Sequence, residues 1–206
     1  MNYYNKYILP KILNFVMKGK AFKDIRSKIV SKASGIVLEI GFGSGLNLPY
    51  YKNITKLYAL DPSSELYKLA KDNILKFPFQ IEYLNASAKK IPLADNCIDS
   101  VISTWNLCSI ANPKIALGDI YRVLKPGGKF IFIEHGKSPK SLIFRIQKIL
   151  TPISEYLAGG CNLHREIDVL IKDAGFNIKK IENFKYKSKI LYPMYSGEYF
   201  LIKKGP

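Results

Sequence analysis

The sequence predicts an α/β fold: one doubly wound domain with a mostly parallel seven-stranded sheet, a terminal antiparallel strand pair and N-terminal capping helices. Three observations predict it. Short runs of strand-forming apolar and aromatic residues recur at 36–40, 56–60, 79–84, 98–103 and 129–133, the first dense in β-branched residues, and helical periodicity fills several of the gaps between them. The first of these runs is apolar at nearly every position, as a parallel strand buried on both faces is. The last two candidate strands, 176–184 and 195–203, have no helix between them and can pair antiparallel.

At 206 residues the chain fits one domain, and 48% hydrophobic with 23% charged residues is the balance of a soluble globular protein. No repeat, low-complexity tract or linker divides it. It falls into a helical cap (1–35), a core (36–136), a lid or membrane-facing helix (137–160) and a C-terminal helix with the strand pair (161–206).

The net charge of +16, from 32 Lys and Arg against 16 Asp and Glu, predicts attraction to nucleic acid, anionic lipid or acidic small molecules. A compositional origin is an equal explanation, because the lysines are spread along the chain. Cys97, Cys108 and Cys161 form no close pair and no zinc-like spacing, so a reducing compartment and no metal site are expected. No signal peptide or bilayer-length apolar run is apparent, which predicts a soluble or peripheral, cytoplasmic protein.

Taken in order, Ile8, Leu9, Ile12, Leu13, Val16 and Met17 recur at helical spacing within 3–33, and two short helices are expected there. They serve either as a cap over a cleft or as a basic amphipathic segment on an anionic membrane. The strand ending at Ile40 runs into Gly41-Phe42-Gly43-Ser44-Gly45, a turn in which the backbone can approach a ligand without Cβ interference. Glu39 is an acid in an apolar strand. It must accept bonds from the loop's amides or meet a ligand's cationic group.

The dinucleotide fingerprint places its third glycine at the sixth position, where this chain has Leu46; a carboxylate ahead of the loop also opposes a pyrophosphate. An amino-bearing ligand suits the loop better. A helix starting at Leu46–Tyr51 is expected to face that ligand, with Asn47 reaching its polar tail.

Asp61 ends the second strand, 20 positions after Gly41, where an acid binds ribose hydroxyls in nucleoside-binding folds or caps the next helix. Pro62 offers an adenine a flat apolar surface. Ser63 caps a helix running to Leu75. The third strand leads into Asn85-Ala86-Ser87-Ala88, and the fourth ends at Thr104-Trp105-Asn106-Leu107-Cys108. Ligands of open α/β sheets bind beyond the carboxyl ends of strands, so Thr104 and Asn106 are site candidates, whereas Cys108 reads as a packed small hydrophobe.

A helix over Ile115–Leu124 stops at Pro126-Gly127-Gly128, and the fifth strand ends in Glu134-His135-Gly136. His135 can act as a base or only shape the pocket. Leu142, Ile143, Phe144, Ile146, Ile149 and Leu150 alternate with Lys140, Arg145 and Lys148, a pattern for burial, a lid or a membrane face. A helix over Leu163–Ala174 follows, with His164 at the cleft rim or surface.

The pattern Val37-Leu38-Glu39-Ile40-Gly41-Phe42-Gly43-Ser44-Gly45 resembles motif I of the class I S-adenosylmethionine-dependent methyltransferases, and Leu124-Lys125-Pro126-Gly127-Gly128 resembles a second hallmark of that family. The resemblance covers 36 to about 135 and implies a Rossmann-like fold. It also implies S-adenosyl-L-methionine as cofactor, held by Glu39, Gly41, Phe42, Gly43, Ser44, Gly45, Asn47, Asp61, Pro62, Ser87, Ala88 and Thr104. Ser87 stands where the family often has an acid. His135 and Asn106 are the catalytic candidates. Glu134-His135 and Gly160-Cys161-Asn162-Leu163-x-Arg165-Glu166 look like a subgroup of thiol, phospholipid and quinone-precursor methyltransferases, which implies a small-molecule or lipid acceptor, often at a membrane. An RNA acceptor and a noncatalytic cofactor-binding protein are the competing readings.

Overall fold

The computed structural model describes residues 3–184 and 194–200. Seven strands form one sheet in the order β3-β2-β1-β4-β5-β7-β6. These are β1 (Ser34–Ile40), β2 (Asn53–Leu60), β3 (Gln80–Leu84), β4 (Ile98–Thr104), β5 (Leu124–His135), β6 (Asn177–Phe184) and β7 (Met194–Phe200). The parallel block is five strands, β3 to β5; β7 runs antiparallel to both β5 and β6. The last expected strand reached Lys203, and its residues 201–203 lie outside the described residues.

The helices are α1 (Leu9–Met17), α2 (Lys20–Ile29), α3 (Ser64–Ile74), α4 (Pro113–Val123), α5 (Ser141–Leu157) and α6 (Ile167–Asp173). Ser63 caps α3, its hydroxyl accepting from the Leu66 amide. A turn of wider helix, Tyr4–Ile8, precedes α1. The helix expected over 163–174 begins only at Ile167, because Asn162 and Arg165 bond to the preceding loops instead.

The expected helix over 46–51 is absent. Only a single tight turn, Leu48–Tyr50, forms there. Pro49 has no N–H to give a longer helix, and Asn47 and Tyr51 turn their side chains inward to Glu39.

Successive strand residues point to opposite faces. Leu38, Ile40, Val101, Phe130 and Phe132 pack with α4 and α6 on one face. Val37, Ile102, Ile131 and Ile133 pack with α2 and α3 on the other. Each such fully buried side chain contributes roughly 1.5–3 kcal/mol. Glu39 shares the parity of Val37, so it faces α2. The strand order reverses between β1 and β4, and a crevice opens beyond their carboxyl ends at that switch point.

Candidate active site

The crevice is a cleft of ≈ 660 Å³, within the range of about 300–1,000 Å³ usual for small-molecule sites. Leu13, Val16 and Met17 of α1 and Phe22 and Arg26 of α2 roof it; the glycine loop, Asp61-Pro62, Thr104 to Asn106 and His135 form its floor. Ser154, Ala158, Gly159 and Cys161 close the far end.

Glu39 is fully buried and accepts from Asn47 Nδ2 at 2.8 Å and Tyr51 Oη at 2.7 Å. Its partners are thus side chains, not the loop's amides. Burial pushes its carboxyl up to about 7, although both hydrogen bonds and the Arg26 charge oppose that. Asn47 also donates to Thr104 Oγ1, while its buried Oδ1 has no partner.

The loop amide goes to Asp61, whose Oδ2 accepts from Gly43 N at 2.8 Å and whose Oδ1 accepts from Ser63 N at 2.7 Å. Burial raises the Asp61 carboxyl, with those two bonds acting the other way. Gly41 permits a close approach: a Cβ there would lie 2.5 Å from the Asn106 amide group. Gly43 has φ +58° and open space above it, which leaves room for a ligand against the backbone.

Glu134, also buried, braces the loop after β4. Its carboxylate accepts from the backbone amides of Asn106, Leu107 and Cys108 and from the Ser103 hydroxyl. That bracing holds Trp105 at φ +52°, an uncommon conformation for a bulky residue. The Trp105 ring lies under the Arg26 guanidinium at 4.8 Å, and its buried Nε1 has no partner.

Elsewhere in the cleft, His135 Nε2 contacts Cys161 Sγ at 2.7 Å, and Cys161 Sγ lies 3.9 Å from Cys108 Sγ. The bond with Cys108, and then the one with His135, pull the Cys161 thiol down to about 4 against its burial. The same sulfur pair, with burial, pushes Cys108 well up. Burial draws the imidazole down, but the Cys161 bond and the Cys161 and Glu134 charges leave it raised.

Of the residues expected at the site, Glu39, Gly41, Phe42, Gly43, Ser44, Asn47, Asp61, Pro62, Thr104, Asn106 and His135 line this cleft. Gly45, Ser87 and Ala88 do not. Gly45 abuts Leu48 and Ala70, Ser87 accepts from the Lys89 amide in a turn, and Ala88 is buried in the core. His164 bonds Thr151 rather than reaching the cleft.

All three cysteines are free, and Cys108 packs in an apolar cluster as expected; spacing alone does not reveal that folding brings it beside Cys161 across 53 residues of chain. Sequence reasoning missed Arg26, Trp105 and Cys161 as cleft residues. Arg26 carried a signal, because it shares the helical face of Phe22 and Ile29; Cys161 carried none that spacing could reveal.

Residues 38–132 match the family described as a methyltransferase domain. The chain is 31% identical over 171 residues to the thiol S-methyltransferase TMT1B of Rattus norvegicus, covering 80% of this chain and 69% of that one. It is 26% identical over 202 residues to UbiE of Campylobacter jejuni, a ubiquinone/menaquinone biosynthesis C-methyltransferase, covering 89% and 82%. Among solved structures, a methyltransferase of Thermotoga maritima described as a possible histamine N-methyltransferase superposes with a TM-score of 0.68 at 20% identity, covering 97% of this chain and 100% of that one. That likeness speaks for the fold. Together with the glycine loop and its cleft, these similarities establish that the chain is an enzyme of the class I S-adenosylmethionine-dependent methyltransferase family, in its small-molecule subgroup.

Proposed function

We propose that this enzyme methylates a small apolar or lipid-like acceptor, with a thiol as the favoured acceptor group. The observation that carries the reading is the cleft lining: Leu13, Val16, Met17 and Phe22 give an apolar wall to the same cleft that the His135–Cys161 pair lines. A basic groove suited to RNA would need cations along that wall, and Arg26 is the one Lys or Arg among the described lining residues.

The residues present fit S-adenosyl-L-methionine. Asn47 Oδ1 is a buried acceptor without a donor, beside the Glu39 carboxyl, and an ammonium group satisfies both. On this reading Glu39, Asn47, Thr104 and the open face of Gly43 hold the amino acid end, with Phe42 and Ser44 beside them. Asp61 takes the sugar hydroxyls, and Pro62 and Leu66 bound the base. The bound cofactor supplies a methyl group already activated on a cationic sulfur. The protein's part is to position the acceptor and exclude water, worth up to about 7–11 kcal/mol. Asn106 lines the cleft with its amide group against Gly41, next to the cofactor loop. His135 takes the proton of an acceptor that arrives neutral.

A membrane surface is the partner we infer. Ile12 and Phe15 of α1 and Leu142, Ile149, Ile153 and Tyr156 of α5 are exposed, and Tyr4 Oη ties the N-terminal segment to the Leu157 carbonyl at the end of α5. Apolar faces flanking a cleft suit an acceptor drawn from lipid.

The test of the acceptor is incubation with methyl-labelled cofactor and panels of thiols, amines, phenols, lipids and RNA. Label transfer to apolar thiols or lipid-like molecules is expected. Transfer to RNA alone would overturn the reading.

A further inference from the structure

The Cys108, His135 and Cys161 side chains come from three different segments, the loop after β4, the end of β5 and the loop before α6. Their ligand atoms all lie within 4.8 Å of one another, and all three residues line the cleft. We propose that these three side chains form a binding site for a thiophilic divalent cation, zinc by its chemistry, whose fourth position opens into the cleft and takes the acceptor thiol. The acceptor half of this proposal rests on the methyltransferase reading; the metal half does not.

The donor set argues for the metal. Two thiolates and one imidazole are soft ligands that select zinc over magnesium or calcium. Three protein ligands with one open position is the pattern of a reactive rather than a structural zinc site. Zinc bonds of about 2.3 Å to sulfur and 2.0–2.1 Å to nitrogen set tetrahedral separations of roughly 3.8 Å between sulfurs and about 3.6 Å between sulfur and nitrogen. The two sulfurs already stand at 3.9 Å. The Cys161–His135 contact of 2.7 Å opens when the cation replaces the proton shared there. Glu134 fixes the Cys108 end, since its carboxylate accepts from the Cys108 amide and both preceding ones.

Charge argues for the occupant of the fourth position. A thiol entering the fourth position binds as its thiolate, because coordination to the metal would deprotonate it: its S–H bond breaks, a metal–sulfur bond forms, the proton leaves to water, and the three thiolates give the site one net negative charge. The anion so held faces a cleft whose other end is suited to a cationic donor. A thiolate is the nucleophilic form of the thiol. The proton-accepting role of His135 thus holds for the metal-free chain; with the cation bound His135 is a ligand.

The test uses the whole chain, chelated to remove metal, reduced with a phosphine and titrated with cobalt(II) as a spectroscopic stand-in. A thiolate-to-cobalt charge-transfer band with visible bands of tetrahedral intensity, saturating at one cobalt per chain, is expected. Cys108→Ser, Cys161→Ser and His135→Gln each weaken cobalt binding by roughly tenfold or more, and Cys97→Ser, which is remote from the cleft, does not. Thiophenol added to the cobalt form then shifts the charge-transfer band. Absence of that band in the unmodified chain, or its survival in the Cys108→Ser/Cys161→Ser double variant, overturns the site. A band indifferent to thiophenol overturns its role for the acceptor. Calorimetry with S-adenosylmethionine on the same sample keeps the two readings apart: cofactor bound without cobalt defeats only the metal, and cobalt bound without cofactor defeats only the methyltransferase assignment.

Discussion

A carboxyl group enclosed by protein titrates where its neighbours allow, and Glu39, held up at about 7, sits between two states. Between its ordinary value of 4.5 and about 7 the folded chain binds a proton that the unfolded chain has released. Stability contributed by this group is therefore highest at low pH and falls as pH rises through that window. Its ionised form has no direct ion-pair partner among the described residues, because the charged Arg26 donates to the Met17 carbonyl and lies over the Trp105 ring, while Tyr51 offers only a hydrogen bond. A ligand's ammonium supplies that partner. Cofactor affinity should therefore rise with pH from about 6 to 8, by at most tenfold per unit, and Glu39→Gln should weaken binding and flatten the dependence.

At the scale of elements, the loop after β4 depends on one side chain from β5. Removing the Glu134 carboxylate leaves three buried amides and a hydroxyl without their acceptor. Each such group costs about 1–3 kcal/mol, so Glu134→Ala should lower stability by at least ~3 kcal/mol. Urea unfolding checks this: the midpoint falls at unchanged slope, and an unmoved midpoint would show that the bracket carries nothing.

Glu134 also marks how far the sequence can be read. The strands were legible because short apolar runs bounded by turn residues announce them, and the glycine loop with Glu39 and Asp61 because fixed spacings tie those residues to one crevice. The helix over 46–51 was misread because Asn47 and Tyr51 answer to Glu39, a tertiary demand that periodicity cannot show. The Cys108–His135–Cys161 cluster was invisible for a related reason. Its members meet only after β4, β5 and α6 have packed.

For the whole molecule, the proposed membrane surface would meet a chain of net charge +16 with exposed apolar residues on both α1 and α5. Among the described residues no helix is long and apolar enough to cross a membrane, so the proposed attachment would be that of a segment lying against lipid. Flotation with anionic and neutral vesicles should show binding that needs anionic lipid and weakens when Phe15 and Ile149 become Ser; equal recovery with and without vesicles contradicts it. Every reading of acceptor and surface depends on what the cleft between β1 and β4 holds. The most direct measurement is calorimetric titration of the full chain with S-adenosylmethionine between pH 6 and 8, beside Glu39→Gln. Saturable binding of one molecule, tighter at the higher pH and weakened with its pH dependence lost in the variant, is the predicted result. Absence of binding, or identical curves for the two proteins, would contradict the account.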